Sequence, residues 1–127
     1  AINVNPDMTI EWATKIPKRQ VTSNDGGYYS SYASAVSGDK IYLLFNDHPD
    51  NLTVTDPSRL AKYSGVKNSV ATLVTISSDG KWKKSLLFSN KIQGEILRPK
   101  ICEQVSVNHF FLYGEKGKNY IVGRAEL

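Results

Sequence analysis

The densest set of potential ligands in this chain is Asn46-Asp47-His48-Pro49-Asp50-Asn51. Asp47, Asp50 and Asn51 offer oxygens of the kind Ca²⁺ takes, and that ion takes about six to eight of them. The alternating acidic spacing of a calcium loop is absent, and Pro49 interrupts the run. His48 has no partner at metal-binding spacing, because His109 falls in a different predicted strand. The segment therefore reads as a polar turn leaving a strand, and no metal or cofactor is expected. A second set is aromatic. Tyr28-Tyr29-Ser30-Ser31-Tyr32 follows Gly26-Gly27, and rings on such an approach can stack on a sugar or a peptide. Together with the two tryptophans they make the candidate binding set: Trp12, Tyr28, Tyr29, Tyr32 and Trp82. Cys102 is the only cysteine. It excludes an internal disulfide, and in a predicted strand it reads as a small buried hydrophobe. There is no Gly-x-Ser-x-Gly elbow, phosphate loop, zinc signature or recognisable Cys–His spacing. The four arginines, Arg19, Arg59, Arg98 and Arg124, are an ordinary number for this length. Nothing here reads as an enzyme.

Composition narrows the classes further. The chain has 127 residues, the size of one ordinary domain. It is 40% hydrophobic and 22% charged, within the globular range. Sixteen basic against twelve acidic residues leave a net charge of +4, spread along the chain. A nucleic-acid binder shows a denser basic stripe, so no nucleic acid is expected. No window approaches the roughly 20 apolar residues of a membrane-spanning helix. The chain begins with Ala1, without a signal peptide, as a processed protein or a piece of a longer one would.

The elements that must position these residues are strands. Ile41-Tyr42-Leu43-Leu44-Phe45 suits a pleated sheet, with Ser37-Gly38-Asp39-Lys40 as the hairpin turn before it. The strand from about Tyr32 to Val36 carries the small residues Ala33, Ser34 and Ala35, which suit a crowded inner position. Val70 to Ile76 alternates and turns at Ser78-Asp79-Gly80 into Trp82 to Phe88. Pro99 to Val105 leads into His109 to Tyr113, and Asn119 to Arg124 follows. Asn24 to Gly27 is a flexible break, and Asn46 to Asn68 is a long excursion. Within that excursion, Asp56 and Pro57 could start a short helix that Gly65 would stop.

The chain also repeats itself. Val4 to Asp7, leading to Trp12, is echoed by Ile76 to Gly80, leading to Trp82. Ile41 to Phe45 is echoed by Phe110 to Tyr113. The approximate repeats are residues 1–69 and 70–127. Long repeats of short strands suggest propeller blades. The expected fold is all-β: about two four-stranded antiparallel blades of a β-propeller, with a small sandwich or barrel as the alternative. The 127 residues would form one unit, the terminal fragment of a larger propeller. Ser77-Ser78-Asp79-Gly80-Lys81-Trp82 does not match the Asp box of sialidase-type propellers, since Gly80 follows Asp79 directly and Trp82 comes too early. No role is carried over from that box.

Glu11-Trp12, Ile16 to Gln20, Asn24 to Gly27, Ser31-Tyr32, Asp39 to Tyr42, Phe45 to Asp47 and Arg98 to Gln104 carry a resemblance. They resemble the C-terminal part of uncharacterised secreted or envelope propeller-like proteins of the Bacteroidota. The resemblance implies a bacterial location outside the cytoplasm, in the envelope or beyond it. It transfers no activity. The expected function is a non-catalytic binding or scaffolding module, with a protein or the remainder of its own polypeptide as partner. The alternative is a glycan-binding lectin made of oligomerised two-blade chains.

Overall fold

A computed structural model describes residues 1–24, 26–63, 65, 68–89 and 94–127. Asp25 of the expected flexible break, and Ser64, Val66 and Lys67 of the expected excursion, lie outside the described residues. The fold is all-β, with no α-helix among the described residues. Its strands are β1 (Ile2–Val4), β2 (Ile10–Ala13), β3 (Ala33–Ser37), β4 (Lys40–Asp47), β5 (Val70–Ile76), β6 (Trp82–Ser89), β7 (Glu95–Leu97), β8 (Glu103–Ser106), β9 (His109–Lys116) and β10 (Asn119–Glu126). They form three antiparallel sheets of two, four and four strands, and none of these closes into a barrel.

The central sheet is an antiparallel meander in the order β3-β4-β5-β6. Strand alternation sorts its side chains onto two faces. Tyr42 and Leu44 point to one face with Ala33, Ala35 and Ala71, and pack against Leu97 and Phe110 of the last sheet and against Cys102. Ile41, Leu43 and Phe45 point to the other face with Val74 and Ile76, and pack against Trp12, Ile16 and Trp82. The central sheet therefore lies between the β1–β2 hairpin and the last sheet. Its small inner-strand residues Ala33 and Ala35 let the last sheet approach closely, and Gln104 bonds both the N–H and the C=O of Val36 across that junction.

The last sheet is three strands wide. β7 and β8 both lie on one side of β9, with β10 on the other. The continuous strand expected from Pro99 to Val105 does not form. Pro99 has no N–H for a ladder and instead occupies a turn closed by the Ile101 N–H to the Arg98 carbonyl at 2.9 Å. Cys102 consequently follows a turn and is not in a strand, although it is buried. Its thiol lies 3.5 Å from the Tyr113 carbonyl, and burial pushes its pKa up. Gly114 of β9 is required where β7 crosses: a Cβ there would meet the Ile96 carbonyl oxygen at 2.7 Å. The long excursion after β4 holds two short 3₁₀ turns, Pro49–Leu52 and Pro57–Arg59, the second capped by Asp56 as expected. The second turn already ends at Leu60, before Gly65.

The outer hairpins repeat in detail. β1–β2 and β5–β6 each close a five-residue loop, between Val4 and Ile10 and between Ile76 and Trp82. In the first, Asn5 N–H bonds Thr9 C=O, Met8 N–H bonds Asn5 C=O, and Thr9 N–H bonds the Asp7 carboxylate. In the second, Ser77 N–H bonds Lys81 C=O, Gly80 N–H bonds Ser77 C=O, and Lys81 N–H bonds the Asp79 carboxylate. The tryptophans are not the equivalent positions: Ile10 stands where Trp82 does. An extra residue in β2, Glu11, shifts the register and turns Trp12 to the opposite face from Ile10. Trp12 thereby lies over Gly80 and donates its indole N–H to the Ser78 carbonyl at 2.7 Å.

One position of the loop separates the two copies. Gly80 has φ +78°, and its equivalent, Met8, holds φ +69° with an exposed side chain. A non-glycine residue in this region costs about 1–2 kcal/mol. Met8→Gly is expected to stabilise the protein by about 1 kcal/mol, and Gly80→Ala to destabilise it by about 1–3 kcal/mol. Denaturant melts of the two variants check both signs.

Candidate functional site

The polar residues at the end of β4 do not form an open site. Alternation sends Asn46 toward the last sheet and Asp47 to the opposite face. The Asn46 amide donates to the Tyr29 and Leu97 carbonyls at 2.9 and 2.8 Å, and the Gln20 amide donates to the Asn46 carbonyl at 2.7 Å. Asp47 accepts from the His48 N–H at 2.8 Å, the Asn51 amide at 2.7 Å and the Lys84 ammonium at 3.0 Å. The Asp47 and Lys84 side chains are both 0% exposed. Lys84 also donates to the Pro17 carbonyl at 2.8 Å and the Asn51 carbonyl at 3.2 Å. Asn51 in turn pairs with both the N–H and the C=O of Ala61. The oxygens of Asp47 and Asn51 that the sequence offered to a cation are thus spent on protein donors.

This network fixes the wall of a cleft. The Pro17 contact seats the segment after β2 against the central sheet, and the next residue, Lys18, turns its ammonium over the rings of Phe45 and Tyr32, 5.2 and 5.4 Å from their centroids. Lys18 also donates to the Ser31 carbonyl at 2.8 Å. The cleft has a volume of about 750 Å³ and lies between the hairpin and the inner half of the central sheet. Ile2, Ile16, Leu43 and Phe45 supply apolar wall, with Ser34 and Lys15 at its border. Partial burial drives the Lys18 pKa down to about 8, against a smaller upward pull from Asp47.

The expected binding aromatics divide among three places. Tyr32 lines the cleft. Trp12 and Trp82 are half-buried between the hairpin and the central sheet. Tyr28 and Tyr29 lie by the last sheet, where the Arg98 guanidinium sits 4.4 Å from the Tyr28 ring centroid and Glu115 accepts from the Tyr29 hydroxyl. Arg98 and Glu115 are themselves paired at 3.0 Å. The structure therefore does not gather the five residues into one site. The residues that sequence reasoning passed over are Lys18 and Lys84. The signal for Lys84 was available: it shares strand parity with Trp82, on the core face, where a charge needs a partner.

No family model, curated protein or solved structure matches this chain.

Two outcomes follow from the buried charges. Removing one partner of a buried pair costs about 3–5 kcal/mol, because the other charge is left uncompensated. Asp47→Leu and Lys84→Met should each lose about that much, and the double variant Asp47→Leu/Lys84→Met should lose less than the two together. Equilibrium unfolding of the three variants measures it. Lys18 behaves differently. Its folded value of about 8 lies below the ordinary 10.5, so the folded chain binds fewer protons than the unfolded chain between those limits. The cost of holding it charged is present in full below about pH 8 and is relieved as pH rises toward 10.5. Wild-type stability measured against Lys18→Met should therefore rise across that window.

Proposed function

We propose that this chain is a non-catalytic binding or scaffolding module of a secreted or cell-envelope protein, built as part of a β-propeller. The observation that carries the reading is a layered stack with uncovered apolar faces at both ends. On the hairpin, Val4 and Ile10 are exposed at positions whose equivalents, Ile76 and Trp82, are covered in the central sheet. On the last sheet, Phe111 and Tyr113 share a face with Tyr120 and Val122, which are 73% and 64% exposed. Tyr113 and Tyr120 stack there with ring centroids 6.1 Å apart. Contiguous apolar surface of this kind marks an association site. The meander order of the central sheet and the face-to-face stacking of successive sheets support the blade reading. The secreted or envelope location, and a role as the terminal part of a longer propeller, rest on the sequence resemblance.

The non-catalytic reading is supported by the use made of the buried polar groups. Asp47, Lys84, Asn51, Asn46 and Gln20 are bonded to one another and to backbone, which ties connections to sheets. The partner that suits the end faces is another protein surface with apolar strands. Sedimentation of the purified chain at micromolar and near-millimolar concentration tests the reading. Concentration-dependent association is expected. A compact monomer with a cooperative melt at every concentration would overturn it.

A further inference from the structure

The two-residue hairpins joining β3 to β4 and β8 to β9 are equivalent. Ser37 pairs with Lys40 around Gly38-Asp39, and Ser106 pairs with His109 around Val107-Asn108. The equivalence puts Phe110 and Leu112 at the places of Ile41 and Leu43, and Phe111 and Tyr113 at the places of Tyr42 and Leu44. It extends into the next strands, where Val122 pairs with Tyr113 as Leu73 pairs with Leu44. Both sheets thus have corresponding faces, and one junction between them is already built. In it the Tyr42/Leu44/Leu73 face of the central sheet packs on the Phe110/Leu112 face of the last sheet.

Each end of the molecule lacks the partner that this junction supplies inside it. The Phe111/Tyr113/Val122 face is covered only along one edge, where Arg98 and the Tyr29 hydroxyl meet Glu115 and Arg98 sits over Tyr28, and it carries Arg124 beside Phe111. The Ile41/Leu43/Phe45 face is covered by Trp12 on its β5–β6 half and by Ile16 and Lys18 at Phe45, which is buried, while its β3 edge and Leu43 border the cleft. Ser34 and Val36, on that face of β3, are exposed. The free face and the half-open one are the two sides of the internal junction, one at each end of the chain.

Resting on the association reading above, we propose that this chain binds a second copy of itself head to tail, the Phe111/Tyr113/Val122 face of one copy seating in the cleft over Ser34 and Leu43 of the next. The contact continues the junction already present inside the chain. It is heterologous, so each copy uses one surface to give and another to receive, and it either closes a ring or propagates. Lys15 and Lys18 border the receiving side, so a further cation placed between them, or brought to them on the incoming face, is left unpaired as it is desolvated.

Two single variants and their mixture test this. Ser34→Arg puts a guanidinium in the cleft beside Lys15 and Lys18, and Val122→Arg puts one in the centre of the opposite face. Both sites are exposed, and a circular-dichroism melt of each variant establishes that it folds. Each variant alone should sediment as a monomer where the wild type associates. Mixed in equal amounts, they should form a one-to-one dimer and nothing larger, because a single intact cleft meets a single intact face. Wild-type-like association by either single variant would overturn the head-to-tail contact while leaving association itself standing. A mixture that stays monomeric would also overturn it. A wild type that never associates removes both this contact and the reading beneath it.

Discussion

The end of β4 is the point on which the rest of the molecule depends. Asn46 and Asp47 are adjacent, fully buried and turned to opposite faces of the same sheet. Asn46 reaches the last sheet through the Leu97 carbonyl and the 20–31 connection through Tyr29 and Gln20. Asp47 reaches β6 through Lys84, and Lys84 reaches the segment after β2 through Pro17. Burying two polar residues there is costly unless every layer delivers its donor or acceptor. The pair therefore favours one arrangement of the layers over others that would bury as much apolar surface. Apolar contact between sheets is comparatively tolerant of sliding, whereas these bonds fix the position.

The same constraint explains why a long connection stays ordered against the sheet. The excursion from His48 onward lies outside the two core clusters, although it buries Leu60 and Tyr63. It is held by that burial together with Asn51, which sits between Asp47 and Ala61, and by the Tyr63 N–H on the Arg19 carbonyl. The connection after β2 and the excursion after β4 thus brace each other, with Gln20 and Tyr63 forming a parallel bridge between them. The wall of the cleft is a by-product of this bracing. Lys18 points into the cleft because its neighbours Pro17 and Gln20 are anchored on either side of it.

Layer stacking accounts for the surface chemistry. A sheet whose two faces are both apolar needs cover on both sides, and only the central sheet approaches that condition. The hairpin contributes two strands to cover a four-stranded neighbour, so the inner half of one face stays open. The last sheet offers its second aromatic face to solvent. At the ends of the stack Val4, Ile10, Tyr120 and Val122 are exposed, and the equivalents of Val4 and Ile10 in the central sheet, Ile76 and Trp82, are covered.

The sequence by itself determined most of the strands, though not β7, and most of the turns and the internal echo, because these depend on local alternation and on Gly, Asp and Pro chemistry. The hairpin at Ser78-Asp79-Gly80 and its counterpart at Asp7 were legible in this way, and so was the Asp56 cap. The interruption at Pro99 was less legible, since proline is equally at home opening a strand or occupying a turn. That Trp12 does not stand where Trp82 does was legible in the spacing, five residues after Asp7 against three after Asp79, but the register shift at Glu11 that reverses its face left no mark in the residue types. The candidate site was the least legible part. Asp47 and Lys84 lie 37 positions apart, and only the pairing of β4 with β5 and of β5 with β6 brings them together. Tertiary structure alone turned an apparent cation ligand into half of a buried ion pair. It also separated five candidate aromatics into three places, because side-chain direction in a sheet follows register, and register is fixed by contacts between strands.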